Sequence, residues 1–201
     1  MAAKTAENTE ALLPNVYFDE RFDIEAVKLT PGQYFVAKTH KLLVTVAAST
    51  TVVCLRDRYR HIGGMTNFML ADFGRDHDNP ASAAARSGTQ VMDLLLAKLA
   101  VAGARDTYAI EAKIFGGGKL GGPDLGNGAR NTEFLIKYLT ARKIRIAAQS
   151  LRGDFARKVY FFPHTGRLLV RKIRKANNNT IFDREREYRR WLNEQFPSGQ
   201  G

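Results

Sequence analysis

LLVTVAASTTVVCLRDRYRHIGGMTNFML, residues 42 to 70, holds three short runs of apolar and β-branched residues, Leu42 to Val46, Thr51 to Leu55 and Gly64 to Leu70, divided by turn formers. Runs of this length are too short for helices and have the composition of strands. Tyr34 to Ala37, just upstream, reads the same way. Downstream, Val91, Leu94, Leu95, Leu99 and Ala102 recur at helical intervals within Ala83 to Ala102, and Gly103 supplies a stop, so that stretch is a helix. Thr107 to Phe115 alternates as a strand and runs into GGGKLGGPDLGNG, which reads as a long, mobile loop. Asn131 is placed to cap a helix that carries Phe134, Leu135, Tyr138 and Leu139 on one face. Three more strands are expected over Ile144 to Leu151, Arg157 to Phe162 and Arg167 to Ile173, the last two joined by a turn at Pro163 to Gly166. A charged helix from about Ile181 to Phe196 closes the chain. Many strands with few helices define an α+β fold, a mixed or antiparallel β-sheet sandwich core flanked by helices.

The chain has 201 residues, enough for one domain with a sizeable core. We expect a loose tail over residues 1–16, the domain over 17–196 and a short tail over 197–201. No apolar run approaches the roughly 18 residues needed to cross a bilayer, and the start lacks the basic and apolar regions of a secretory signal, so no membrane insertion and a cytoplasmic location are expected. Cys54 is the single cysteine, and His40, His61, His77 and His164 lack ligand spacing, so neither a disulfide nor a metal or other cofactor is expected. Between Arg142 and Arg190 stand 15 Lys and Arg against four acids, which accounts for the whole net charge of +11. Such a surface attracts acidic partners or serves only as a solvated face. No helix-turn-helix, zinc-finger or RNA-binding signature accompanies it, which leaves nucleic-acid binding as the weakest reading. The glycine-rich segment Gly116 to Gly122 lacks the phosphate-binding spacing, since Leu120 follows the lysine, and reads as a flexible loop.

An ordered series of segments carries a resemblance. LTPGQY ends the stretch from Tyr17 to Ala37; VTVAASTTVVCLRD spans Val44 to Asp57; IGGMTNFML spans Ile62 to Leu70. IEAKIFGGG (Ile110 to Gly118), ARNTEFL (Ala129 to Leu135) and KVYFFPHTGRLLVRKI (Lys158 to Ile173) follow. Over about nine tenths of its length the chain resembles the CheD family of bacterial chemotaxis, the chemoreceptor glutamine deamidases. The resemblance implies a protein-glutamine deamidase fold, similar to toxin deamidases that use a cysteine and histidine pair, with the cytoplasmic region of chemoreceptors as substrate and a CheC-type phosphatase as a further partner.

Two segments depart from the family pattern. Where the family has Leu-Gly-Ser-Cys this chain has Ala47, Ala48, Ser49 and Thr50; where it has Asn-His-Phe-Met-Leu this chain has Thr66, Asn67, Phe68, Met69 and Leu70. The resemblance therefore puts Thr50 at the nucleophile, Asn67 at the base, and Thr45 at or next to the family's third catalytic position. A thiol serves as nucleophile because a neighbouring histidine easily ionises it. A threonine hydroxyl is far harder to ionise, and an asparagine amide accepts no proton near neutral pH. The expected protein keeps binding and loses catalysis; the alternative is a working deamidase that uses Thr50 with another base. Cys54, four residues along an extended strand, lies about 13 Å from Thr50 and is read as core. His40 and His61 are read as surface-loop residues.

Overall fold

Within the strand Thr51–Asp57 the run Val52 to Leu55 is apolar without interruption because both faces of the strand are covered. In the computed structural model, which describes residues 14–70, 83–119, 128–173 and 180–195, its residues alternate between two cores. Val52 and Cys54 face one, Val53 and Leu55 the other. The described strands run β1 (Asn15–Asp19), β2 (Ile24–Leu29), β3 (Tyr34–Ala37), β4 (Leu42–Ala47), β5 (Thr51–Asp57), β6 (Gly63–Phe68), β7 (Ile110–Gly116), β8 (Arg145–Leu151), β9 (Ala156–Phe161) and β10 (Leu168–Ile173). The helices are α1 (Ala83–Ala102), α2 (Gly128–Ala141) and α3 (Thr180–Gln195).

The strands form two five-stranded sheets, ordered β1-β2-β4-β9-β10 and β3-β6-β5-β7-β8. Each is mixed: β2 and β4 pair in parallel, as do β7 and β8, and the other pairs are antiparallel. The two sheets enclose Val27, Leu29, Leu43, Val52, Cys54, Met65, Phe115, Val159 and Phe161 between them. On the far face of the second sheet lie Met92, Leu95 and Leu99 of α1, at spacings of three and four, with Leu135 and Leu139 of α2. Each fully buried Leu or Met there contributes about 1.5–3 kcal/mol of hydrophobic stabilisation. The outer face of the first sheet is covered by aromatic packing, in which Phe22 meets Tyr160 and Phe162 edge-on at 5.4 Å between ring centroids. The α+β sandwich flanked by helices is as the sequence predicts. No described helix is long and apolar enough to cross a membrane.

Four local readings change. β1 and β2 carry no strand signal strong enough to register, since β1 is a half-exposed edge strand and β2 breaks its alternation with Ala26 and Val27, both buried. The 107–115 strand opens instead with a 3₁₀ turn, Thr107–Ala109, because the Asp106 side chain accepts the Tyr108 N–H at 2.9 Å and holds the chain curled before β7 begins. Asn131 is no cap: α2 starts three residues earlier, at Gly128, and the Asn131 side chain is spent on tertiary contacts described below. Of the glycine-rich loop, Gly116 to Lys119 is stitched into the sheet edge by backbone hydrogen bonds, which removes the expected flexibility there, while residues 120–127 lie outside the described residues.

Cys54 is 1% exposed between the sheets, and burial pushes its thiol well up from the ordinary range. A disulfide reagent should therefore label native protein at least about a thousandfold more slowly than guanidinium-unfolded protein, since access requires opening of the sandwich; stopped-flow labelling of the single cysteine checks this.

Candidate functional site

Between β4 and β5 the chain passes through Ala48, Ser49 and Thr50, all buried. Each of these three peptides is bonded on both sides. Behind the loop, Gly118 N–H donates to Ala48 O and Gly117 N–H to Thr50 O, both at 2.8 Å, while Asn131 Nδ2 donates to Ser49 O at 3.2 Å. Asn131 Oδ1 in turn accepts from Leu70 N–H at 2.9 Å, tying the end of β6 to the same loop. Gly117 has φ of +64°, and a Cβ there would lie 2.4 Å from Thr132 Cγ2 and 2.7 Å from Gly128 O, so the close approach of this brace to α2 needs glycine.

In front of the loop, all three N–H groups point to one carboxylate, that of Glu185 on α3. Ala48 N–H and Thr50 N–H donate to Oε1 at 2.7 and 3.4 Å, and Ser49 N–H donates to Oε2 at 2.9 Å. Two hydroxyls join them: Ser49 Oγ to Oε2 at 2.6 Å and Thr50 Oγ1 to Oε1 at 2.8 Å. Consecutive amides turned to one side make an anion-binding concavity. Glu185 is fully buried, a placement that costs several kcal/mol unless charge-assisted hydrogen bonds replace its hydration, as these five do.

α3 reaches the loop through a narrow face. Glu185, Tyr188 and Leu192 fall at spacings of three and four, one side of a helix. Leu192 packs on Met69 with Tyr188 beside it, and burial pushes the Tyr188 phenol well up from its ordinary range. The Tyr188 ring sits over Gly32, whose φ is +83°; a Cβ there would be 2.2 Å from Cε2. The turn before β3 therefore seats the helix, and glycine permits both the turn and the ring. A cavity of about 330 Å³ opens beside this contact, lined by Leu29, Thr30, Thr45, Val46, Arg184 and Glu185 among others.

Asn67, on β6, is fully buried. Its Nδ2 donates to Thr45 Oγ1 at 2.9 Å and to Val46 O at 3.1 Å, and Thr45 Oγ1 passes its own hydrogen to Leu29 O at 2.8 Å. Both partners of Nδ2 act as acceptors, which fixes the orientation of the amide and leaves Asn67 Oδ1 without a hydrogen-bond partner among the described residues. The fold thus joins Asn67 to Thr45 directly. It gives Thr50 a different companion, since the Thr50 hydroxyl is bonded to Glu185 and not to Asn67.

The remaining candidates lie elsewhere. Cys54 is enclosed between the sheets. His61 follows the far end of β5, about 20 Å along the strand from Thr50. There its ring meets that of His164, with centroids 5.0 Å apart, and His40 meets His164 at 5.8 Å. Arg56 Nη2 stands 3.0 Å from His61 Nδ1, so a cation already faces that group. Among the described residues no group of three metal-ligating side chains converges. Glu185 was not singled out by the sequence, where it is one acid in a charged helix; the Glu-Tyr-Leu face of α3 is the one signal that could have marked it.

Comparison with known proteins agrees with this architecture. Residues 69–172 match the family model described as CheD chemotactic sensory transduction. The chain is 44% identical over 192 residues to a probable chemoreceptor glutamine deamidase CheD of Janthinobacterium sp. (strain Marseille), covering 94% of each. It is 43% identical over 193 residues to a protein of the same description from Thiobacillus denitrificans, covering 95% of each. A third, from Herminiimonas arsenicoxydans, is 44% identical over 181 residues, 89% of each chain.

Asn131→Ala should strip a partner from both Leu70 N–H and Ser49 O, which lie in the buried interior. The expected cost is about 1–3 kcal/mol for each group left unpaired, read as a lower urea midpoint at unchanged slope.

Proposed function

The chain belongs to the CheD family of chemotaxis proteins, and from that premise we propose that it binds chemoreceptors in the cytoplasm as a deamidase relative without deamidase chemistry. Its relatives are named for acting on chemoreceptor glutamine. Hydrolysis of a glutamine side chain by covalent catalysis adds a nucleophile to the amide carbonyl, expels ammonia, and then admits water to release glutamate. The first step needs a nucleophile that can shed its proton to a base, and an oxyanion site ready for the carbonyl oxygen. At the family's nucleophile position stands Thr50 and at its base position Asn67, which accepts no proton near neutral pH.

The observation that carries the reading is the pairing of these groups. The Thr50 hydroxyl donates to Glu185 at 2.8 Å, and the Asn67 amide donates to Thr45 and Val46. No relay joins residue 50 to residue 67. A binding role remains open to the protein, on a receptor or on a CheC-type phosphatase, because the loop, its glycine brace and the Asn131 clamp are all in place.

The same 2.8 Å contact favours one competing reading, in which Glu185 serves as the base for Thr50. Against it stands the use of the amides. The N–H groups of Ala48, Ser49 and Thr50, the donors best placed for a developing oxyanion, are held by the Glu185 carboxylate itself. A base that fills the oxyanion site leaves no room for the substrate carbonyl.

The double substitution Thr50→Cys with Asn67→His, made together with Leu192→Ala to loosen α3 and its Glu185 from the loop amides, should create glutaminase activity, measured as ammonia released from a chemoreceptor cytoplasmic fragment. The unaltered chain should be slower by about 10⁴-fold or more, the combined loss of nucleophile and base. Equal rates in the two proteins would overturn the reading, and abolition of that activity by Thr50→Ala would favour the threonine and glutamate pair.

A further inference from the structure

We infer that the Ala48–Thr50 loop is a binding site for the side-chain carboxylate of a glutamate presented on a helix, that it rejects glutamine, and that α3 occupies it in cis with Glu185. The external occupant is a glutamate on a helix of the chemoreceptor, which rests on the reading above; the cradle and its cis ligand do not.

The occupant in place defines the ligand class, since Glu185 is a glutamate on a helix with its carboxylate in contact with five donors. Each oxygen takes at least one backbone N–H: Oε1 from Ala48 and Thr50, Oε2 from Ser49. A glutamine has to place an NH₂ group at one of these points. The Ser49 and Thr50 hydroxyls can rotate to accept from it, but a backbone N–H cannot, so either orientation of the amide sets donor against donor. The loop therefore distinguishes the product of deamidation from its substrate.

The site is built without α3. All three loop carbonyls are held from behind by Gly117, Gly118 and Asn131, so the forward direction of the N–H groups is set by the body of the protein. α3 in turn is suited to leaving. Eight of its 16 residues are charged, and its apolar hold on the body rests on Leu192 against Met69 and the Tyr188 ring over Gly32. The cavity beside Arg184 and Glu185 leaves part of that interface unfilled. A receptor helix that offers a glutamate competes with α3 for the same donors.

The test uses the full chain, its Leu192→Ala variant, which loosens α3 without touching the cradle, and its Glu185→Ala variant. Two kinds of fluorescent probe are titrated by anisotropy. One is a chemoreceptor helical fragment in versions that differ only by Glu or Gln at the modified position. The other is a free peptide of residues 180–195 with Glu or Gln at position 185. Binding of the Glu probes should strengthen at least about tenfold in both variants relative to the unaltered chain, and the Gln probes should bind at least about tenfold more weakly than their Glu counterparts. Equal binding of Glu and Gln forms of the free peptide, or no gain in Leu192→Ala, overturns the inference. If Glu185→Ala fails to fold by circular dichroism, Leu192→Ala decides. A peptide that binds with glutamate preference while the receptor fragment binds to no form supports the cradle and its cis ligand, and removes the receptor as partner.

Discussion

A carboxylate taken out of water has to be given donors in place of its hydration, and the position of Glu185 organises much of this molecule around that requirement. Supplying three amides from one loop means that the loop must turn all its N–H groups to one side. Its carbonyls then face the other way, where they too must be bonded. The glycines at the end of β7 and Asn131 on α2 meet that need. Segments far apart in sequence, around residues 48–50, 116–118, 131 and 185, are thus bound into one hydrogen-bonded unit, and the two sheets and α2 serve to hold it at the rim of the sandwich.

The second buried polar pair, Asn67 with Thr45, sits next to this unit but is not wired to it. Asn67 donates to Thr45 and to the chain at Val46, as an imidazole N–H would, but its amide oxygen, though a hydrogen-bond acceptor, is not a base that takes up a proton near neutral pH. Packing and hydrogen bonding tolerate such an exchange because a buried amide of similar reach satisfies the same acceptors. Proton transfer does not tolerate it. Under the proposed function binding and catalysis come apart at this point, since the first depends on shape and hydrogen-bond donors and the second on a nucleophile and a base that can exchange a proton.

The charge of the chain looks different once folded. The basic stretch that accounts for the net charge is divided among three strands, α3 and the segments that join them, and one of its members, Arg157, is buried against the carbonyls of Arg152 and Phe155. One of its four acids, Glu185, faces inward. Counting charges along the sequence therefore describes the surface only in part, because a buried charge answers to its partners and not to solvent.

Residues 42 to 70 determined by themselves that the protein is built on short strands, hydrophobic spacing located α1 and α2, and the charged closing segment read as the helix α3. Local composition could do this because strand and helix periods are properties of neighbouring residues. The motif residues were also legible, since Thr50 and Asn67 depart from the pattern of the family the sequence resembles and Thr45 falls at or next to its third catalytic position. Tertiary structure alone decided what those residues touch. Asn131 reads as a cap and is a clamp; the glycines at 116–118 read as a flexible loop and are a brace; Glu185 reads as one more surface acid and fills the centre of the site. The bonds from Asn131 to Leu70, from Gly117 and Gly118 to the 48–50 loop and from Thr50 to Glu185 each span 61 or more residues of chain, and a hydrogen bond across such a separation exists only after the sheets have brought its two ends together.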